Sequence, residues 1–267
     1  MPIPILTFET PAAISIDFDV EVGNVRVIAG DRETTVVEVR PARNGRRGDV
    51  EAAERTRVQF ADGRLEVRAP RSRHLGLIGR PGAIDLVVQV PRGSHLRGNS
   101  SYGDIDTEGQ LGDCFLKTSY GTLQVQDVGA LTLETSGGNI TAGRVAGVAE
   151  LSTSSGDVRI EETSAPANLK TSAGDVRVER AGDAIHARTA YGGVRVGRAV
   201  RGQLDLTTSY GDVDVGVADG TATFLEVRSN HGRVRNELVQ ADDPPESRES
   251  LKVRAQTGYG DIRIRRA

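Results

Sequence analysis

Apolar and polar residues alternate through most of the chain, in short runs that are separated by glycine. An alternation with period two predicts β-strands that each bury one face. The runs recur in a fixed unit, which is easiest to see around the residues Thr-Ser-Tyr-Gly-Asp at positions 208–212. Repetition at a regular spacing is typical of proteins built from stacked structural repeats.

The glycine of this motif marks the repeat. It recurs at Gly103, Gly121, Gly138, Gly156, Gly174, Gly192, Gly211, Gly232 and Gly260. From Gly121 onward, an apolar residue precedes each glycine by five positions, a threonine or serine precedes it by three, and an aliphatic residue follows it by two. Each unit therefore predicts a strand that ends in threonine, a Gly-Asp turn, and a second strand of the form Val-x-Val.

A unit of about 18 residues cannot bury its apolar face alone, but units stacked about 4.8 Å apart bury it continuously. Glycine supplies the positive φ that a tight corner needs, and we expect the aspartate to hydrogen-bond its own backbone there. We therefore predict an all-β protein, a right-handed single-stranded β-helix (β-solenoid) with rungs of about 18 residues. A hexapeptide β-helix is disfavoured because position six beyond Val158 is Ser164, and a propeller needs blades of about 40 residues.

The two ends of the chain depart from the repeat. Residues 1–96 are predicted to form an irregular, β-rich N-terminal cap with the first irregular rungs, and residues 97–267 the solenoid repeat region of one elongated domain. Strand-like runs occupy 14–20, 25–28, 35–40, 57–60, 65–68 and 84–90. Asp62-Gly63 predicts a hairpin turn, and Asp49 is expected to N-cap a short helix over 49–54. Residues 71–81 and 240–250 are predicted surface loops, and 251–266 the rung that caps the C-terminal end.

Composition narrows the class of protein. The net charge of −3, with acidic and basic residues mixed, argues against a nucleic-acid partner. The first residues lack the basic and apolar regions of a signal peptide, and no run of 18 apolar residues follows, so we expect a cytoplasmic protein without direct membrane insertion. Cys114, the single cysteine, cannot form an intrachain disulfide and is expected to be a small buried hydrophobe.

Three motifs together resemble a known family. They are Val-Gln-Val-Pro-Arg-Gly-Ser at 88–94, the serial Thr-Ser-x-Gly-Asp-Val-x-Val units, and Thr-Gly-Tyr-Gly-Asp-Ile-Arg-Ile at 257–264. They resemble a bacterial family of β-strand-repeat domains of unknown function, described as "putative adhesin" or toast-rack domains, over nearly the whole chain. The resemblance implies the repeat fold and roles at the cell surface or in envelope stress, and it defines no catalytic residue.

Some side chains could carry chemistry. Asp157 and Asp175 occupy equivalent positions on adjacent rungs, near the separation of the carboxylates in retaining glycosidases, and could alternatively bind calcium. Rungs of constant length leave no loop to wall a cleft, so we expect these aspartates to be turn residues. A row containing Arg159, Arg177 and Arg195 could bind an anion, but nearby acidic residues favour a charge-balanced, solvated face. The four histidines lack metal-ligand spacing, so we predict no metal and no cofactor.

All five tyrosines directly precede the motif glycine: Tyr102, Tyr120, Tyr191, Tyr210 and Tyr259. The same position holds Gly137, Ser155 and Ala173 in the middle rungs and His231 near the end. A packed interior row would not accept both glycine and tyrosine, so we place these rings at an outer corner. We predict a small patch on the first rungs and a larger one that runs Tyr191, Tyr210, His231, Tyr259. Stacked rings could merely shield the turn, or the larger patch could bind a partner.

These observations favour a non-enzymatic, adhesin-like interaction scaffold that presents rows of side chains to an unidentified protein partner, with Tyr191, Tyr210, His231 and Tyr259 as the binding residues. One alternative is a self-assembling element comparable to the bactofilins, and another is a β-helix carbohydrate-active lyase or hydrolase. We expect a monomer or small oligomer, because the irregular first 96 residues and the terminal Arg263, Arg265 and Arg266 should blunt the exposed strand edges.

Overall fold

The computed structural model describes residues 5–71, 81–238 and 249–267. These ranges are nearly all β-strand, with one α-helix. The chain forms two compact units, Met1–Ser136 and Gly137–Ala267. The predicted surface loops at 71–81 and 240–250 lie almost entirely outside the described residues.

The first unit contains two sheets and the helix. Its strands are β1 Ile5–Glu9, β2 Ser15–Val22, β3 Val25–Gly30, β4 Thr34–Pro41, β5 Arg57–Ala61, β6 Arg64–Arg68, β7 Ile84–Pro91, β8 His95–Tyr102, β9 Ile105–Glu108, β10 Cys114–Tyr120, β11 Leu123–Val128 and β12 Leu131–Gly137. Helix α1 spans Arg47–Arg55. The strand orders are β1-β4-β7-β3-β9-β11 in one sheet and β12-β10-β8-β2-β6-β5 in the other.

All six strand runs predicted before residue 97 are present as β2 to β7. The described antiparallel pairings, β1 with β4, β4 with β7 and β5 with β6, lie in this region. In contrast, β2 and β3 already pair in parallel with β8 and β9. The domain boundary between residues 96 and 97 stays a prediction.

Two local predictions in this region have different outcomes: the hairpin turn at Asp62-Gly63 is confirmed, and the helix N-cap at Asp49 is wrong. Asp62 and Gly63 have φ of 50° and 72°, which confirms the hairpin turn between β5 and β6. Asp49 does not cap the helix, because α1 begins at Arg47 and Arg46 is the N-cap residue. The buried Asp49 carboxylate instead accepts the backbone N–H of Ala83 at 2.9 Å and the Arg46 guanidinium at 3.1 Å.

The second unit is built from regular rungs. Its strands are β13 Ile140–Val145, β14 Ala149–Ser155, β15 Val158–Thr163, β16 Ala167–Lys170, β17 Val176–Ala181, β18 Ile185–Tyr191, β19 Val194–Ala199, β20 Gly202–Tyr210, β21 Val213–Val217, β22 Ala222–His231, β23 Val234–Asn236, β24 Ser250–Tyr259 and β25 Ile262–Arg266. They form two parallel sheets, β13-β15-β17-β19-β21-β25-β23 and β14-β16-β18-β20-β24-β22. Each rung places one strand in each sheet, which confirms the predicted all-β solenoid.

The core of this unit consists of aligned aliphatic rows. Val158 pairs with Val176 and Val176 with Val194, so register advances by 18 residues from one rung to the next here, and by 19 where Val194 pairs with Val213. The residues predicted to stack are all at most 1% exposed: Leu151, Val158, Ile160, Leu169, Val176, Val178, Val194, Val196, Leu206, Val213 and Val215. The outward residues between them are polar, which is the alternation that the sequence predicted.

The last rung is not at the end of the unit. Strand β24 lies between β20 and β22, and β25 lies between β21 and β23. The prediction that residues 251–266 cap the C-terminal end is therefore wrong, because the earlier rung of β22 and β23 is the outermost one. Arg263 and Arg265 consequently lie on an inner strand, so they cannot blunt the exposed edge as predicted.

Each corner glycine lies very close to the backbone of the adjacent rung nearer the N-terminal end of the stack, which we call the rung below. In the second unit the φ values of Gly138, Gly156, Gly174, Gly192, Gly211 and Gly260 lie between 143° and 153°. A Cβ atom on Gly174 would lie 2.1 Å from the Gly156 carbonyl oxygen, which excludes any other residue without a backbone shift. The same carbonyl accepts the hydroxyl of Thr171 at 3.0 Å. This geometry confirms the predicted inward threonine row, which is buried at Thr118, Thr135, Thr153, Thr171, Thr189, Thr208 and Thr257.

The corner aspartates also join successive rungs. Asp157 Oδ1 accepts the backbone N–H of Asp175, and Asp175 Oδ1 accepts that of Gly193, both at 2.8 Å. The expectation that each aspartate bonds its own backbone is wrong, because the carboxylate reaches the next rung instead. The five-letter motif is thus a connector: threonine binds the rung below and aspartate binds the rung above.

We predict that Val176→Asp destabilises the protein by more than about 3 kcal/mol, because it places an unpaired charge between packed rungs. Urea unfolding monitored by circular dichroism measures this change. Arg177→Gln is the matched control, since Arg177 is the adjacent outward residue, and it should alter the free energy of unfolding by less than about 0.5 kcal/mol. Equal effects of the two substitutions would contradict the inward and outward assignment.

We predict that Asp157→Ala lowers the free energy of unfolding by about 1 kcal/mol, because the Asp175 N–H loses its side-chain acceptor at an exposed corner. Asp157→Asn should be nearly neutral, since Asn139 fills this role one rung below and accepts the Asp157 N–H at 2.9 Å. Chemical denaturation of both variants tests the assignment. An Asn variant as unstable as the Ala variant would show that the carboxylate charge, rather than the acceptor oxygen, is what the corner requires.

Candidate functional site: an exposed ladder of aromatic rings

The residue before each corner glycine lies where the strand leaves its sheet. Thr208 is buried and points inward, while the following Ser209 and Tyr210 are exposed. Parallel register then aligns the equivalent residues of successive rungs, because Tyr191 pairs with Tyr210 and Tyr210 with Tyr259. His231 of the outermost rung pairs with Tyr259. We call Tyr191, Tyr210, Tyr259 and His231 the aromatic ladder.

The rings of the aromatic ladder stack face to face. Ring centroids are 5.2 Å apart between Tyr191 and Tyr210, 5.0 Å between Tyr210 and Tyr259, and 4.5 Å between Tyr259 and His231. The interplanar angles are 5°, 2° and 13°. The tyrosines are 62%, 48% and 51% exposed in chain order, which confirms the predicted outer corner. The predicted order is wrong in one respect, because Tyr259 lies between Tyr210 and His231.

This stacking decides which atoms a partner could contact. Both faces of Tyr210 and of Tyr259 are covered by neighbouring rings, so these residues present ring edges and phenol oxygens to solvent. Among the described residues, none forms a hydrogen bond with a phenol oxygen of the ladder. The outer face of Tyr191 lies above Ala173, whose methyl group cannot cover a ring. The ladder is therefore an apolar strip edged with hydrogen-bonding groups that remain available.

The first unit carries the smaller predicted patch. Tyr102 and Tyr120 stack with a centroid distance of 5.4 Å and an interplanar angle of 7°, and both are exposed. The geometry matches that of the larger ladder, but only two rungs contribute. This pair provides a matched internal control for any role of the longer ladder.

The candidate carboxylate pair, Asp157 and Asp175, forms hydrogen bonds between rungs at the corner. Asp157 and Asp175 each use one oxygen to accept a backbone N–H of the next rung, and Asp175 Oδ2 also lies 3.4 Å from Arg177 Nη2. A shallow cavity of about 160 Å³ beside them is lined by Asn139, Thr141 and Arg159 as well. These contacts assign the two aspartates a structural role, which is the role expected from the sequence.

The outward arginine row is charge-balanced, as predicted. Arg159, Arg177 and Arg195 lie in register on β15, β17 and β19, and Asp214 follows on β21. Arg159 pairs with Glu179 at 3.3 Å and Arg180 with Glu162 at 2.8 Å. Ion pairs of this exposed kind contribute little to stability, so the face is a solvated surface.

Histidine and cysteine side chains do not assemble a further centre. His186 Nδ1 lies 3.0 Å from Asp205 Oδ2, and His95 Nδ1 accepts the Asp113 backbone N–H at 3.0 Å. In the described ranges, no group of three His, Cys, Asp or Glu side chains is placed to hold a metal ion. Burial, assisted by the nearby Asp113 charge, raises the pKa of the Cys114 thiol to about 12, so the thiol is protonated at neutral pH. His74 lies outside the described residues.

Sequence reasoning missed one exposed feature. Phe224 on β22 and Val234 on β23 are 73% and 44% exposed, because both belong to the outermost rung. The corner of this rung carries Arg233, where most other rungs have aspartate or asparagine, but the inner corners with Thr122 and Gly193 also lack a carboxylate, so this residue alone does not mark the end of the stack. An outermost rung has no rung above it, so it needs no carboxylate to bind one. Within the described ranges, no helix has the length and apolar character required to cross a membrane.

Solved structures similar to this chain share little sequence with it. A "putative adhesin" from Bacteroides fragilis NCTC 9343 is 14% identical, with 98% of this chain and 97% of that chain covered and a TM-score of 0.47. A "putative adhesin" from Parabacteroides merdae ATCC 43184 is 12% identical, with 98% and 95% covered and a TM-score of 0.41. A "putative lipid binding protein" from Parabacteroides distasonis ATCC 8503 is 10% identical, with 99% and 96% covered and a TM-score of 0.31.

No curated protein matches the sequence. The family model described as Toastrack DUF4097 matches residues 13–267, which is nearly the whole chain. This match agrees with the resemblance seen in the motif at 88–94 and in the repeated Thr-Ser-x-Gly-Asp units, and the rung geometry explains why those residues recur. The protein belongs to the Toastrack DUF4097 family.

Proposed function

We propose that this protein is a non-enzymatic interaction scaffold whose aromatic ladder binds a protein partner. The observation that carries the proposal is the exposure of three stacked tyrosines on a rigid corner. Tyrosine is enriched at protein interfaces because it buries a large apolar area and keeps a polar end. The ladder offers this combination in a continuous strip.

Preorganisation supports the same proposal. Tyr210 and Tyr259 are fixed between neighbouring rings, and each precedes a corner glycine in a motif whose threonine bonds the rung below, for example Thr208 to the Gly192 carbonyl at 2.8 Å. Binding to such a strip would order few additional side chains, which lowers the entropic cost of association. The partner should offer apolar groups and hydrogen-bond acceptors to the ring edges and phenol hydroxyls.

The fold itself does not require the rings. Two rungs of the same unit carry Ser155 and Ala173 at the ladder position, and they keep the same register and corner bonds. A stacked aromatic pair adds about 0.5–1.5 kcal/mol, so the rings stabilise the unit modestly. A purely structural role would therefore leave the half-exposed tyrosine surface without a use, whereas a binding role accounts for it.

We predict that Tyr191→Ala/Tyr210→Ala/Tyr259→Ala abolishes partner capture while the protein stays folded. Affinity purification with quantitative mass spectrometry should compare this variant with wild type and with Tyr102→Ala/Tyr120→Ala, the matched control that removes the smaller patch. A protein lost only with the ladder variant is then purified, and titration calorimetry should show binding weakened at least about tenfold, since interface hot spots cost at least about 2 kcal/mol.

Circular dichroism and thermal unfolding establish that each variant is folded before capture is compared. If the ladder variant is folded and retains every protein captured by wild type, the rings are structural and the proposal fails. If both tyrosine variants lose the same proteins, binding does not depend on the longer ladder in particular, which also overturns the proposal.

A further inference from the structure

Strand β22 is the outermost strand of its sheet in the second unit and has a neighbour, β24, on one side only among the described residues. The Ala222 N–H donates to the Glu249 carbonyl at 3.1 Å, so Ala222 turns its backbone toward that neighbour. Backbone direction alternates along a strand, and residues 223, 225 and 227 therefore turn theirs toward the open side. Such an edge is a template for pairing with another strand.

The side chains at this edge are incompletely buried. The inward residues Leu225 and Val227 are only half-buried, whereas their register partners Val253 and Ala255 are fully buried. Phe224 on the outer face is largely exposed. Closing this end of the unit with another strand would remove apolar surface from water, which favours association.

We propose that two copies of this chain pair through antiparallel β22 edges, with a two-fold axis at Val227. Glu226 and Arg228 flank Val227 on the outer face of the sheet. An antiparallel two-fold at Val227 places Glu226 opposite the partner's Arg228, and Arg228 opposite the partner's Glu226. Opposite charges at directly facing positions stabilise an antiparallel pair, and here the contact forms twice.

Both charged groups are available for this contact. Arg228 has no ion-pair partner among the residues that the structure describes. Glu226 binds Arg254 of the neighbouring strand through Oε2 at 3.1 Å, which leaves Oε1 for a second guanidinium. The second copy is therefore favoured by charge complementarity as well as by the open backbone.

The charges also select the register. Because residues 223, 225 and 227 turn their backbones outward, a hydrogen-bonded two-fold centre must fall on one of the odd positions. A centre at Leu225 would place Glu226 opposite Phe224 and leave its charge unpaired. Only the centre at Val227 pairs Glu226 with Arg228.

The proposed β22 contact produces a closed dimer rather than a filament. A two-fold interface uses the same patch on both copies, so one β22 edge is consumed in each and a dimer results. Strand β23 has three residues and exposes Arg235, which discourages like-charged edges from pairing in the other sheet. The dimer therefore depends on β22, and this inference does not rest on the proposed partner binding by the aromatic ladder.

Charge reversal tests the pairing directly. Sedimentation velocity across a concentration series should show wild type associating to a dimer at the higher concentrations. Arg228→Glu alone and Glu226→Arg alone each create facing like charges, so each should weaken self-association about tenfold or more. The double variant Glu226→Arg/Arg228→Glu restores opposite charges and should dimerise as wild type does.

Mixing the two single variants gives the sharpest result. One variant presents two arginines and the other two glutamates, so the mixture should form a heterodimer although each alone is monomeric. Arg195→Glu, an exposed reversal on β19, is the control and should keep the wild-type dimer. A monomeric wild type at the highest concentration overturns the proposal, as do single variants that dimerise normally or a mixture that stays monomeric. Circular dichroism checks that every variant is folded.

Discussion

The bonds between successive rungs at the corner are the interaction on which the rest of the structure depends. The Gly174 carbonyl accepts the hydroxyl of Thr189 at 3.0 Å, and the Asp175 carboxylate accepts the Gly193 N–H at 2.8 Å. Only glycine fits between them, because a Cβ would collide with the carbonyl below. Threonine, glycine and, at most corners, aspartate or asparagine therefore act together to hold successive rungs.

Corner geometry also sets the aromatic ladder. The rung spacing of about 4.8 Å is close to the 5.0–5.2 Å between tyrosine centroids, so the backbone imposes the ring stacking. Tyrosine at this position is therefore preorganised without contributing to the core. Ser155 and Ala173 show that the corner tolerates small residues, so the fold itself does not require rings on the three neighbouring rungs.

Period-two alternation predicted the buried rows and the inward threonines. The outer position of the tyrosines was predicted separately, because the same position holds residues as different in size as glycine and tyrosine. Rung order could not be predicted from that alternation, since the residues of 222–236 and 251–266 suit any position in the stack. The partner of Asp49 was also missed, because Ala83 is distant in sequence and its N–H competes successfully for the carboxylate. Partner binding by the ladder and the boundary at residue 96 stay predictions.

Insertion of the rung of β24 and β25 shapes both the aromatic ladder and the exposed β22 edge of the second unit. Had the rungs followed chain order, Tyr210 would stack on His231; the inserted rung places Tyr259 between them and extends the tyrosine run to three rings. The same insertion moves β22 to the edge and exposes Phe224 there. The displaced rung lacks the corner aspartate, and Asp261 Oδ1 of the inserted rung accepts the Arg233 N–H at 2.8 Å. Because no rung lies above the displaced one among the described residues, its Arg233 corner needs no such acceptor of its own, and β22 is left as the open strand.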